Sequence, residues 1–528
     1  MYDLLIKNAL IYDGSGDPPF YGNVAVMDGK IAYMGNEDVC AKKIKNAQGL
    51  SLSPGFIDVH SHSDWEIVQN PNRLHVLRMG VTTEIAGQCG SSVTPDSDTM
   101  TDDIRRSVSA SAEISKFFPN MKEMINVIDL LEVGPNQHYF TGHGLLRGGE
   151  MGTSPNKATD AQIKKIQEKL ISEMQMGSAG ISTGLSYVPG IYSDTNELIQ
   201  LAKTAAQNGG IYTTHSRSES MGLFDSVREC IEIAKESTGP VNISHFKCVG
   251  KVFWENCEKA LSMLDLAINE GCDITLDAYP YTAVSTTTLS VIPPKFLSSG
   301  REAFTKSLEN ESIVNAIRHE IFEVNDPSWD NSMYYVGLEN FLIVKAPNTP
   351  WAIGKTYVEI AKELGMEPFD AVIHLLKANN SDILECRFGM CEENLEMIFK
   401  HPRCMVGSDG IYRKGDALAH PRAFGTFPRY LGRYIREREV LSREEGIRRI
   451  TSMPAERYSL CGKGQIKVGY DADLVLFDYD TIMDKADFME PFRPNMGIHQ
   501  LYIGGKLTLE DNEPTGIFAG KYLYKNRK

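Results

Sequence analysis

His60 and His62 stand two residues apart in the run GFIDVHSH. On a pleated strand such residues leave the same face, so both imidazoles could reach one ion. A single His-x-His pair means little by itself, but other residues repeat the placement. His215 closes the apolar run GIYTTH, His245 closes NISH and Asp409 closes CMVGSD. Any one of these could be a buried side chain satisfied by hydrogen bonds. Five together, each at the C-terminal end of a short apolar run, point to a shared metal centre of the kind built where barrel strands end. Cys89 joins them from the loop GQCGSS, directly after the run VTTEIA. Beside imidazoles and a divalent ion its thiol is deprotonated, and soft sulfur with imidazole and carboxylate favours zinc over magnesium or calcium.

The elements that position these residues follow from the texture of the chain. Eight apolar runs alternate with longer segments of helical period: GFIDVH (55–60), VTTEIA (81–86), HYFTGH (138–143), AGISTG (179–184), GIYTTH (210–215), NISH (242–245), DITLDAY (273–279) and CMVGSD (404–409). Ile163, Ile166, Leu170, Ile171 and Met174 recur at helical spacing, and EKALSMLDLAIN is amphipathic in the same way. Eightfold strand–helix alternation predicts a TIM-like (β/α)8 barrel over residues 53–463. Residues 1–52 and 464–528 read instead as short alternating strands broken by Gly, Asp and Pro, with Asp28-Gly29 marking a hairpin. Two such ends around a different middle predict one small β-sandwich assembled from both termini. Residues 90–137 hold at least two helical stretches, and residues 285–345, rich in Thr, Ser, Pro and Asn, form an insertion and candidate lid.

Composition removes several classes of function. The chain has 528 residues, 42% hydrophobic and 23% charged, with no apolar run of bilayer-spanning length. Its N-terminus lacks the basic, apolar and small-residue regions of a signal peptide. The 54 basic and 69 acidic residues give a net charge of −15 without long single-sign runs, which argues against nucleic-acid and membrane partners. Ten dispersed cysteines predict a reducing, cytoplasmic setting. Spacing does not distinguish a monomer from a small homo-oligomer.

Taken together, GFIDVHSH, the cysteine after the second run, GISTGLSYVP, TTHSR, ISHFK, SDG and HPRAFGTFPR resemble the N-acyl-D-amino-acid deacylases of the metal-dependent amidohydrolase superfamily, essentially end to end. The resemblance implies a barrel with a small β-domain and an inserted segment over the site. It implies a tightly held zinc on Cys89, His215 and His245, and a weaker second site on His60, His62 and Asp409 that Cys89 can bridge. Many superfamily members bridge two metals with a carboxylated lysine. The third and fourth runs here offer only His143 and Thr183 at their ends.

The chemistry so implied is hydrolysis of the amide bond in a small N-acylated amino acid. Zinc would lower the pKa of water from about 16 towards 7 and polarise the carbonyl. Asp409 is the candidate general base, taking the water proton and returning it to the departing nitrogen. An amino-acid product carries an α-carboxylate, which calls for fixed cationic donors. Lys247, two residues past His245, and Arg422 in AHPRAF are those candidates. The resemblance implies that a tyrosine assists them, either Tyr279 or Tyr281 of DAYPY, with Tyr279 preferred. Tyr187 could line the side-chain pocket or pack beneath it. Arg217 and Glu219 are read as a pair orienting His215 or as a surface pair, and His143 and Arg147 as substrate contacts or barrel supports. The preference for D-amino acids rests on the resemblance alone. Rival readings are a cyclic-amide hydrolase, a β-aspartyl or D-dipeptidase, a sugar-amide deacetylase and an inactive scaffold.

Overall fold

The structure is a computed structural model and describes residues 1–108, 116–324, 326–412 and 418–525. Residue 325, inside the candidate lid, and residues 526–528, at the end of the C-terminal segment, lie outside the described residues. The chain folds as a mixed α/β protein.

The N-terminal strands are β1 (Tyr2–Ile11), β2 (Phe20–Met27), β3 (Lys30–Gly35), β4 (Ala41–Asn46) and β5 (Ser51–Pro54). Strands β18 (Leu474–Phe477), β19 (Ile498–Ile503), β20 (Lys506–Glu510) and β21 (Glu513–Pro514) come from the other end of the chain. The two sets join in one nine-stranded sheet, ordered β21-β20-β19-β18-β5-β1-β2-β3 with β4 on β1. The junction is the antiparallel pairing of β18 with β5, Leu474 opposite Pro54. β1 shows how the pattern is kept in phase. Its register with β2 shifts between Ile6 and Ala9, where Asn8 takes φ 57° and donates its N–H to Asn23 Oδ1 at 2.9 Å. The extra residue of this bulge lets Leu4, Ile6, Ala9 and Ile11 all enter one apolar cluster, which strict alternation would not allow.

The middle of the chain supplies parallel strands. β6 (Phe56–Asp58), β7 (Val81–Ala86) and β8 (Asn136–Tyr139) form one sheet in that order. β9 (Thr141–Gly142), β10 (Gly180–Gly184), β11 (Ile211–His215), β12 (Val241–Ile243), β13 (Ile274–Ala278) and β17 (Cys404–Val406) form a second, in chain order. The two meet at Phe140, which interrupts β8 and β9, and again through a parallel bridge between Ser61 and Gly410. Helices lie between the strands. The one spanning Asp160–Met176 starts at a capping box of Thr159 and Gln162 and buries Ile163, Ile166, Leu170 and Met174 at the expected spacing. Between β13 and β17 runs an insertion whose strands β14 (Val284–Thr287), β15 (Phe341–Lys345) and β16 (Leu384–Arg387) pair antiparallel in the order β14-β16-β15.

Candidate metal centre and substrate cleft

All six candidate ligands converge where the parallel strands end. Donor atoms of His60, His62, Cys89 and Asp409 lie within 4.8 Å of one another, and so do those of Cys89, His215 and His245. Cys89 is common to both groups. Its Sγ is 3.3 Å from His60 Nε2 and 3.3 Å from His245 Nε2. Asp409 Oδ1 lies 3.2 Å from His62 Nε2 and 3.5 Å from His60 Nε2. Three of the six sit in turns just past a strand and hold left-handed backbone: Cys89 at φ 54°, His245 at φ 36° and Asp409 at φ 48°. L-residues seldom adopt this region, and such strain persists where surrounding packing over-determines it, often at functional sites. Gly184 allows the crowding, since a Cβ there would come within 2.1 Å of Cys89 O.

The surrounding groups set orientation and charge. Asp277 Oδ1 is 3.2 Å from His60 Nδ1 and accepts the His245 backbone N–H at 2.8 Å, while its Oδ2 accepts from Asn242 at 2.7 Å. Glu219 Oε1 is 3.0 Å from His245 Nδ1 and accepts from Lys247 Nζ at 2.6 Å. Burial holds His215 and His245 well below the ordinary histidine range, with the Lys247 charge adding to it at His245, so both imidazoles are neutral and able to donate a lone pair. Burial opposes the charge of Asp409. Arg422, whose Nη1 is 2.9 Å from Asp409 Oδ2, and His62 outweigh it and keep the carboxyl well below the usual carboxylate range. Among the described residues neither ring nitrogen of His215 has a hydrogen-bond partner, although the side chain is 8% exposed and its Nδ1 is sealed from solvent. A buried imidazole with an unpartnered Nδ1, beside a cysteine and one further histidine donor, fits a soft divalent ion.

A cleft with about 760 Å³ of empty space, open solvent included, lies over these residues. Lys247, Arg422, Tyr279 and Tyr187 all line it. The Tyr279 ring lies 4.6 Å from the Arg422 guanidinium and 5.7 Å from Lys247 Nζ, so the three form one unit. Tyr281 belongs elsewhere, its hydroxyl donating to Asp484 at 3.0 Å with Arg429 over its ring. The Tyr187 ring packs 4.8 Å from that of His215, and its hydroxyl lies 3.0 Å from Thr286 Oγ1 on β14.

One expectation changes and one open alternative is decided. Arg217 and Glu219 do not pair, and neither orients His215. Asp330 accepts from Ser218 at 2.5 Å, Ser220 at 2.6 Å and the Glu219 N–H at 2.9 Å. These bonds gather residues 218–220 into a turn that sends Glu219 inward to His245, while Arg217 turns to Glu229 at 2.8 Å. His143 and Arg147 are supports, since both reach the buried Glu197, at 2.8 and 2.5 Å. The sequence reading missed Asp277, although a signal was present: it lies two residues before Tyr279 on the seventh run and so faces the same way.

Residues 392–508 match the model of the amidohydrolase family. The chain is 29% identical to the D-aminoacylase of Alcaligenes xylosoxydans xylosoxydans, over 99% of this chain and 97% of that one. It is also 29% identical to the N-acyl-D-glutamate deacylase of the same organism, over 95% and 93% of the two chains. Among solved structures it is similar to the N-acyl-D-glutamate deacylase of Bordetella bronchiseptica, complexed with zinc and a phosphonate mimic of the reaction's tetrahedral intermediate. The TM-score is 0.84, with 28% identity over 99% of each chain.

Proposed function

We propose that this chain, similar over nearly its whole length to N-acyl-D-amino-acid deacylases and matching the amidohydrolase family over residues 392–508, is an amidohydrolase that cleaves the amide bond of N-acyl-D-amino acids with zinc as cofactor. The observation that carries this reading is the convergence of Cys89, His215, His245, His60, His62 and Asp409 beneath a cleft lined by Lys247, Tyr279 and Arg422. Cys89, His215 and His245 would hold the tight zinc, and His60, His62 and Asp409 a weaker second ion. For His245 to ligate through Nε2 its Nδ1 would carry the proton, with Glu219 Oε1 at 3.0 Å as its acceptor, and Lys247 Nζ, 2.7 Å from the same Nδ1, would then donate to Glu219 Oε1 at 2.6 Å. Asp277 offers the same service to His60.

When bound, the ion activates water as a nucleophile and polarises the amide carbonyl. Asp409 accepts the proton of the attacking water and delivers it to the departing nitrogen. Arg422 keeps Asp409 ionised before the attack. Arg422, Lys247 and Tyr279 hold the α-carboxylate and so fix the amide over the donors, and Tyr187 shapes the side-chain pocket. The strand ends at β8, β9 and β10 carry no lysine, which supports a cysteine-bridged centre over the carboxylated-lysine type.

In the same reading the parallel strands β6 to β13 and β17 make one (β/α)8 barrel over residues 53–463, with β8 and β9 as a single broken strand. The Ser61–Gly410 bridge supports closure. Residues 1–52 and 464–528 form the small β-sandwich, and residues 285–345 belong to an inserted lid that pairs with β16. Ten unpaired cysteines support a reducing, cytoplasmic setting, and among the described residues no helix is long and apolar enough to cross a membrane.

Metal analysis combined with amine release from matched N-acetyl D- and L-amino acids, on wild type and Asp409→Ala, tests the proposal. Zinc with D-selective, Asp409-dependent release is the expected result. Zinc without release from either enantiomer redirects the search to cyclic amides and dipeptides, and absence of any metal from the purified protein favours the inactive scaffold.

A further inference from the structure

The inserted sheet contributes a cation to the cleft that the reading above does not use. β14 and β16 pair with Val284 across from Arg387 and Thr286 across from Glu385, so these four side chains share one face. Val284, Thr286 and Arg387 line the cleft. Arg387 is 4% exposed, and its guanidinium lies 5.2 Å from the centre of the Phe341 ring. Its Nε donates to Glu385 Oε1 at 2.8 Å, and its Nη2 donates to Thr287 O at 3.0 Å and Ser290 Oγ at 2.6 Å. Nη1 makes no hydrogen bond among the described residues, yet is not among the polar atoms sealed from solvent. A guanidinium offers five N–H donors in a rigid fork, so two remain to be satisfied at the cleft wall.

We propose that Arg387 is a specificity residue that binds a second carboxylate of the substrate, so that the preferred substrates are N-acylated amino acids bearing two carboxylates. This rests on the deacylase reading, in which Lys247, Tyr279 and Arg422 take the first. The placement suits it. Arg422 Nη2 donates to Ser285 O at 3.1 Å and Arg387 Nη2 to Thr287 O, carbonyls two residues apart on one strand and therefore roughly 7 Å apart. Both guanidinium groups are therefore anchored on the same strand at one cleft. Local charge agrees. Glu385 divides its acceptor capacity among Arg387, Thr288 at 2.7 Å and Tyr357 at 2.9 Å. Of the carboxylates that line the cleft, Glu219 is neutralised by Lys247, Asp409 is paired with Arg422 and Asp330 is engaged by three donors.

The second carboxylate can come from the amino-acid side chain or from the acyl group. The test therefore compares kcat/KM on N-acetyl-D-glutamate, N-acetyl-D-glutamine, N-succinyl-D-leucine and N-acetyl-D-leucine. The variants are Arg387→Lys, which keeps the charge beside Glu385 and loses the fork, and the double variant Arg387→Met with Glu385→Gln, which leaves no buried charge unpaired. The expected result is a preference of about 10- to 100-fold for one dicarboxylate over N-acetyl-D-leucine, shrinking by about tenfold or more in both variants. Preference for the glutamate compound assigns the second carboxylate to the side chain, and preference for the succinyl compound assigns it to the acyl group. A ratio that stays the same in both variants, or a wild type that takes glutamine or leucine compounds as well as dicarboxylates, overturns the proposal. If no amide is cleaved, the deacylase reading itself fails. Calorimetric binding of N-acetyl-D-glutamate to zinc-loaded Asp409→Asn protein, with and without Arg387→Lys, still decides the role of Arg387: an unchanged Kd refutes it.

Discussion

Asp409 and Glu173 are both buried carboxylates, 7% and 2% exposed, and they sit in opposite electrostatic surroundings. Asp409 ends a parallel strand and is met by Arg422, His62 and His60. Glu173 lies on the helix Asp160–Met176, where its Oε2 accepts from Thr94 Oγ1 at 2.8 Å and from the Met121 N–H at 2.9 Å. Among the described residues no cation pairs with it. Burial therefore wins at Glu173 and pushes its carboxyl up to about 7, whereas at Asp409 the paired charges win and hold it well below the ordinary range. A perturbed carboxylate is thus not in itself a site. Glu173 ties a helix to two neighbouring segments with neutral donors. Asp409 stands among groups able to hold an ion, move a proton and anchor an anion.

The sharpest way to break this contrast is to remove each carboxylate and follow turnover and metal separately. Asp409→Ala is expected to lower kcat by about 10³- to 10⁴-fold, the scale of a lost general base, while zinc on Cys89, His215 and His245 stays near the wild-type ratio by elemental analysis. Loss of that zinc in step with activity would make Asp409 a structural ligand like any other. Glu173→Gln in the same assay should leave kcat within about threefold, since the residue is absent from the cleft lining. Glu219→Gln comes next. Glu219 touches His245 and is not among the candidate ligands, so the expected effect is a loss of about 10- to 100-fold in zinc affinity by competition with a chelator. The deficit in kcat should be recovered at saturating zinc. A deficit that zinc does not repair would move Glu219 from positioning into the chemistry.

How much of this contrast could be read in the sequence follows from what each residue depends on. His60, His62, His215, His245 and Asp409 each end an apolar run, so a local pattern exposes them without knowledge of the fold. Seven of the eight runs overlap one strand apiece, VTTEIA coinciding with β7, while HYFTGH covers the pair β8 and β9. Cys89 was legible only through its place directly after the second run and its company of imidazoles, and its bridging role needed the superfamily resemblance, because a cysteine in a loop carries no periodic signal. Arg387 was illegible. Its place on the cleft wall depends on β16 pairing with β14, whose residues lie almost a hundred positions earlier, and neither LECR nor VSTT declares that partner. The turn that separates Arg217 from Glu219 likewise depends on Asp330, more than a hundred residues away. Glu173 falls three residues after Leu170 on the apolar side of a helix, where spacing marks it as buried but not as uncharged.

The smallest effect on turnover and the cleanest test of the contrast is the pH dependence of stability in Glu173→Gln. The folded protein keeps the Glu173 proton up to about pH 7, whereas the unfolded chain releases it near the ordinary carboxyl value of about 4.3. Between those values the folded state binds more protons, so this group's contribution to stability falls as pH rises and is fully unfavourable above pH 7. The cost at pH 8 is about 3–4 kcal/mol, and it vanishes below the unfolded pKa. Glutamine cannot ionise and has no such slope. Relative to wild type, Glu173→Gln should gain stability from pH 5 to pH 8, read as a rising difference in denaturant midpoint. Asp409, with its carboxyl depressed, has the opposite slope: its favourable contribution is present above the ordinary value and lost in acid. A Glu173→Gln difference that is flat with pH would mean that Glu173 is charged at no cost where it stands. Neutral hydrogen bonds would then suffice to hold a buried carboxylate ionised, and the ion pairs around Asp409 would lose their standing as what separates the two regions.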